Sequence, residues 1–221
     1  MQYYKNLYVL GTSHISIDSI NQVTRFIEEN KPEIVAIELD RNRLKSLFHK
    51  QEPRISDMMQ LGVKSFLINL IGHYIEKKLG KMVGVSPGSE MKTAVKLAKK
   101  HNLKLALIDQ DITITLKKLS KSITWKEKFR FLKDILKGLI LRKSDMPQFD
   151  LKKVPPKKLI NMMMKKVKQD YPNVYNVLIE ERNNIMSENL FKLMNINEKD
   201  KIFAIVGAGH EEDIIKIIKR K

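Results

Sequence analysis

The sequence has no cysteine. Disulfides, cysteine-based zinc sites and iron–sulfur clusters are thereby excluded, so any metal must be held by His, Asp or Glu. A reducing, intracellular setting is the default for such a chain. Glycine is sparse, at 9 of 221 residues, and spells neither G-x-G-x-x-G nor a P-loop, so nucleotide binding of those types has no local support. Long apolar runs are missing as well. The most apolar helical candidate, "VKSFLINLIGHYI" (Val63–Ile75), is interrupted by Lys64, Asn69 and His73 and is too short and polar to span a bilayer. The start, "MQYYKNLYVLGTSH", lacks the charged, apolar and small-residue regions of a signal peptide. A cytoplasmic location is expected, with membrane association as the alternative; a soluble domain of a longer membrane protein also stays open.

Positive charge, by contrast, is plentiful. The formal net charge is +17, and it is unevenly placed. From Lys117 to Lys168 there are 17 Lys/Arg against 4 Asp/Glu, a net of +13, which leaves +4 for all the rest. Such a segment points to an anionic surface, and the bland alternative is a lysine-rich background. A membrane surface is the expected partner of that kind. Nucleic acid is disfavoured because no recognised binding motif occurs.

Four apolar runs read as buried strands: Leu7–Leu10, Ile34–Glu38, Leu103–Ile108 and Ile202–Val206. Their alternation with helical patterns predicts an α/β fold with a mainly parallel central sheet of four or more strands. One helix follows the first strand, capped by Ser16 or Asp18 and stopped by Pro32. A second begins after Pro87–Gly88, and a third, "EEDIIKIIKRK", has the acidic start and basic finish that suit a helix dipole. The whole of 1–221 reads as a single domain with helical insertions at about 41–83 and 111–194. In the second, "WKEKFRFLKDILKGLILRK" places Phe129, Leu132, Leu136, Leu139 and Ile140 on one stripe among lysines. The favoured expectation is that this stripe packs on the core and leaves a basic face in water; a membrane-surface helix is the alternative. Met162–Met164 reads as core filler, and an exposed apolar helix in either insertion would serve a homodimer.

Open parallel sheets bind ligands beyond the carboxyl ends of their strands. Here the first strand ends at "GTSH" with Thr12 and His14, and the second at "IELDRNR" with Glu38, Asp40, Arg41 and Arg43. The third ends at Asp109 and Asp111, and the fourth at "GAGH" with His210. The two G-x-x-H endings would therefore set two imidazoles around one crevice. Two histidines with carboxylates suit a catalytic divalent metal with open positions. They equally suit a metal-free acid–base pair with a carboxylate orienting one ring. Glu38 has the strongest individual case, because a carboxylate closing a buried apolar strand is costly unless paired, here with Arg41, Arg43 or Arg182, or metal-bound. His49, His73 and His101 read as structural.

Taken in order, "GTSHIS", "VAIELDRNRLKSL", "SPGSEMKTAVKLAKKHNLKLALIDQDITITLKKL", "LIEERNNIMSENL" and "IVGAGH" resemble the TraB family, which includes bacterial proteins that shut down peptide pheromones. The likeness runs over nearly the whole chain. It implies an α/β fold with a hydrolytic, metal-dependent site of the kind grouped with Tiki proteases and erythromycin esterases. Carried over by position, His14, Glu38 and His210 would bind the ion (Mn²⁺, Co²⁺ or Zn²⁺), and Glu90 and Arg182 would complete the catalytic set. The implied substrate is a peptide or small ester; sequestration without catalysis is the alternative. Gln110 stands where the family usually has Arg, and Asn183 where it usually has Asp.

Overall fold

In the computed structural model, which describes residues 1–13, 16–48, 86–141 and 154–221, the four apolar runs lie side by side. They are β2 (Leu7–Thr12), β3 (Ile34–Ile37), β4 (Lys104–Leu107) and β5 (Ile202–Gly207). All neighbouring pairs among them are parallel. A fifth strand, β1 (Gln2–Tyr4), joins β2 in antiparallel sense, giving the order β1-β2-β5-β3-β4. Sequence reading passes over β1 because three residues hold no periodic signal; its pairing with β2 makes it a strand. Lys5, at φ 52°, turns the chain between the two.

The strands read as continuous apolar runs because helices cover both faces of the sheet. Alternate side chains divide between two cores. Leu7, Val9, Ile34, Ala36, Ile202, Ala204 and Val206 meet α8 (Glu181–Ile196) and α9 (Glu211–Ile218) through Met186, Leu190, Ile214 and Ile218. On the other face, Leu10, Val35, Ile37, Phe203 and Ile205 meet α1 (Ile17–Asn30) and α3 (Ser89–Lys100). The Phe26 and Phe203 rings stack there with centroids 4.1 Å apart. Ser16 caps α1 by accepting from the Ser19 amide, and Lys31 closes it in the left-handed conformation. At the start of α3, Gly88 takes φ 76°, a conformation that favours glycine.

The remaining described elements are helical. Arg41–Phe48 forms α2, Ile112–Ser122 α4, Trp125–Leu141 α5, Lys157–Asp170 α6 and Pro172–Tyr175 α7. Helix α7 runs through a π-helical turn (Asn176–Glu180) into α8. Among the described residues no helix is long and apolar enough to cross a membrane; the Val63–Ile75 candidate lies outside them.

Helix α5 departs from expectation. Its polar residues make the contacts with the corner between α6 and α7. Glu127 accepts from the Asn173 amide at 2.9 Å, Arg130 donates to the Asp170 carbonyl at 2.9 Å, and Asp134 accepts from the Tyr171 hydroxyl at 2.6 Å. Trp125 and Phe129, by contrast, are 72% and 67% exposed. The part of the stripe that holds Phe129 therefore does not pack on the core. Met162, expected as core filler, is also exposed, whereas Met164 packs against Gly209.

Candidate active site at the carboxyl edge of the sheet

The two G-x-x-H segments end neighbouring parallel strands. Gly11 pairs with Val206 and Thr12 with Gly207. They also touch beyond the strands: a Cβ on Gly11 would stand 2.6 Å from Glu211 Oε2 and 3.0 Å from the Ala208 backbone. Only glycine allows the second loop to lie this close to the first. Thr12 is buried and its hydroxyl donates to the Val206 carbonyl at 3.1 Å, tying the two strands together. His14 lies outside the described residues.

Glu38 follows β3 directly and is only 4% exposed. One carboxylate oxygen accepts from the Gly207 amide at 2.5 Å, and the other is ion-paired with the Arg182 guanidinium. Of the partners the sequence offers, Arg182 makes that ion pair. The same guanidinium donates to Asp109 Oδ2 at 2.6 Å, and Asp109 is also paired with Arg43, which reaches Asp40 at 2.7 Å. Carboxylates and guanidinia thus alternate across the ends of β3 and β4. Burial works against the charge on Arg182, but Glu38 and Asp109 outweigh it and hold its pKa above the ordinary arginine value. Arg43 is raised in the same way, with Asp109 overcoming the cost of burial. The π-helical turn lies just ahead of Arg182, whose Nη1 donates back to the Leu178 carbonyl at 3.2 Å. Such turns re-aim the side chains that follow them.

His210 is 5% exposed and closes the cluster. Its Nδ1 lies 2.6 Å from Asn183 Oδ1, while Asn183 Nδ2 faces Asp213 at 3.5 Å. With the amide oriented this way, Nδ1 carries the proton and donates to Asn183. The Nε2 lone pair then looks toward Arg182 Nη1 at 3.4 Å, with Glu38 Oε1 at 3.6 Å. A neutral imidazole with its lone pair fixed beside a guanidinium can take a proton from water or a substrate hydroxyl while the guanidinium holds an oxyanion.

Glu38, Arg182 and His210 are thus brought together. Glu90 is fully buried in the first turn of α3, where the helix dipole favours a carboxylate. Asp40 caps α2 through the Asn42 and Arg43 amides, and Asp111 caps α4 through the Thr113 amide; Arg41 is exposed. His101 Nε2 lies 3.1 Å from Glu28 Oε2, and His49 and His73 lie outside the described residues. Sequence reasoning noted Asn183 only as a departure and did not assign it the imidazole; its place one residue after Arg182 on a helix gives no direct sign of that contact. Ser86–Gly88 leads into α3, where the Ser86 carbonyl accepts from the Ser89 amide and hydroxyl.

The described residues do not by themselves make a seat for the expected divalent ion. Of the three residues assigned to it, His14 is not described. The gap between Glu38 and His210 already faces a permanent cation, Arg182, bonded to one and within 3.4 Å of the other. Among the described residues no group of three or more His, Asp or Glu stands close enough to hold a metal.

The family model for TraB/PrgY/gumN matches residues 4–220. The chain belongs to this family. It is 37% identical over 220 residues to a protein of Methanocaldococcus jannaschii titled "Uncharacterized protein MJ1365", covering 97% of this chain and 54% of that one. It is 25% identical over 189 residues to a human "TraB domain-containing protein", covering 80% of this chain and 49% of that one. This TraB-family chain therefore spans about half the length of the curated relatives it matches.

Proposed function

We propose that this TraB-family chain hydrolyses an ester or peptide bond at the carboxyl edge of its sheet. His210 Nε2 takes a proton from the attacking water and gives it to the leaving alcohol or amine as the acyl bond breaks, and Arg182 holds the oxygen on which negative charge develops. Asn183 keeps the ring in the tautomer the step needs, and Glu38 keeps the guanidinium in place. The observation that carries the reading is the 2.6 Å contact of His210 Nδ1 with Asn183 Oδ1, which turns Nε2 toward the buried Arg182 guanidinium 3.4 Å away. A cleft of about 290 Å³ is lined by Ala208, Gly209 and Glu211, the chain neighbours of His210, together with Met164 and Tyr175. It has room for a short peptide side chain. A divalent ion remains a proposal for His14 together with the same pair.

A second reading is binding without turnover. It is favoured by the occupancy of Glu38, both of whose oxygens already have partners, as in a purely structural ion pair. The test is a pool of short peptides and p-nitrophenyl esters, assayed by mass spectrometry and absorbance. Wild type, His14→Ala, His210→Ala and Asn183→Leu are each assayed with a chelator and with Mn²⁺, Co²⁺ or Zn²⁺. Turnover that survives chelation and disappears in His210→Ala supports the metal-free reading. Turnover that needs an added ion, and is lost in His14→Ala, supports a metal site that includes His14. Saturable peptide binding with no product sinks hydrolysis and favours sequestration.

A further inference from the structure

Helix α5 (Trp125–Leu141) sits on the molecule the wrong way round for a helix of a water-soluble body. Glu127, Arg130, Phe131 and Asp134 lie within about one third of its circumference, and these residues fasten it to the start and end of the Asp170–Asn173 corner. Opposite them stand Trp125 and Phe129, both largely in water, with their rings 6.3 Å apart. In sequence the same stripe continues by helical spacing through Leu132, Leu136, Leu139 and Ile140. Beside the rings are the exposed Lys126 and Lys133 and the half-buried Lys128, whose Nζ lies 4.4 Å from the Trp125 ring centroid. A folded chain that leaves its aromatic face in water while spending its polar face on internal bonds is presenting that aromatic face to something.

We propose that this face of α5 docks on an anionic lipid surface. Trp and Phe sit at the boundary between headgroups and acyl chains, and lysine stems reach along such rings to the phosphates. Three features select this occupant. The segment from Lys117 to Lys168 carries a net of +13, which complements an acidic leaflet. A second copy is a poor match, because a two-fold contact on this face would set its lysines against their own symmetry mates. Nucleic acid would use the two rings, but has no use for the aliphatic residues that extend the stripe.

The chain's single tryptophan is Trp125, so the docking face carries its own reporter. The experiment mixes the full chain with phosphatidylcholine vesicles, with and without a phosphatidylglycerol fraction, and follows sedimentation and tryptophan emission at low and high salt. Docking shifts the emission to the blue and shields it from iodide on anionic vesicles only, and high salt reverses it. Replacing Lys126, Lys128 and Lys133 together by Glu lowers partitioning on the order of a hundredfold or more. Phe129→Ser lowers it while leaving the far-ultraviolet circular dichroism unchanged, which separates loss of docking from loss of fold. Three outcomes would overturn the proposal: equal binding to neutral vesicles, emission unchanged by any vesicle, or a blue shift produced instead by self-association or by an oligonucleotide.

Discussion

Helices α1 and α5 have the same kind of sequence, an apolar stripe on a charged cylinder, and the structure uses them in opposite ways. In α1, Val23, Phe26 and Ile27 are buried against the sheet. In α5, the described part of the stripe is in water, and the polar side is fastened down by Glu127, Arg130 and Asp134. The difference teaches that amphipathic periodicity divides a helix into two faces and leaves open which of them the fold will hold. The two regions behave accordingly: the sheet and its covering helices are stabilised by close packing, whereas the helical arm around α5 to α7 is held by side-chain hydrogen bonds at its corners.

This contrast can be broken at several points. The largest effect is expected where the two regions join, at Arg182. Arg182→Ala leaves Glu38 and Asp109 buried without their shared cation and should cost about 3–5 kcal/mol in urea unfolding; a cost below about 1 kcal/mol would show that the network is not the tie described here. Next comes Phe26→Ala, which removes a ring stacked on Phe203 and should cost about 3 kcal/mol. Gly11→Ala should destabilise by about 1–3 kcal/mol, because its methyl group meets Glu211 and the Ala208 backbone; its amide spectrum should change at residues 208–211.

Glu127 gives the arm its own signature in pH. Burial opposes the charge on its carboxyl, but hydrogen bonds from Thr124 and Asn173 outweigh this and hold the pKa below the ordinary 4.5. A lowered folded pKa means that the contribution is present above pH 4.5 and is lost as pH falls through the folded value. Glu127→Gln should therefore cost about 1 kcal/mol at neutral pH and reduce the acid sensitivity of unfolding; an unchanged acid profile would place that sensitivity elsewhere. The smallest effect is expected at Trp125→Ser, within about 0.5 kcal/mol of wild type. A larger loss would mean that the Trp125 face is packed after all, and α5 would then resemble α1.

Much of the sheet was legible in the sequence, because strands covered on both faces are unbroken apolar runs and Ile34–Ile37 or Ile202–Val206 can hardly be anything else. The gathering of Glu38, Asp109 and His210 was legible for a related reason: each of those runs stops at a polar side chain, and parallel strands deliver their carboxyl ends to one edge. Strand β1 was not legible, since its existence depends on β2. Nor was the bond from Asn183 to His210, which joins a helix to a loop 27 residues further on. The orientation of α5 was hidden most deeply. Its pattern is symmetric with respect to the two choices, and what decides is a set of bonds to residues 170–173 that no local reading of 125–141 contains.

One pairing has a consequence for how the molecule comes into being. The hydroxyl of Thr12 and the carbonyl of Val206 are joined across 194 residues of chain, and β5, which follows the other four strands in the chain, takes the middle position of the sheet. Until those residues leave the ribosome, β2 and β3 have an empty place between them, and contacts so distant in sequence are slow to form. The newborn chain must therefore wait with its central seam open, and a ribosome that stalls before residue 202 releases two strand edges with nothing to close them.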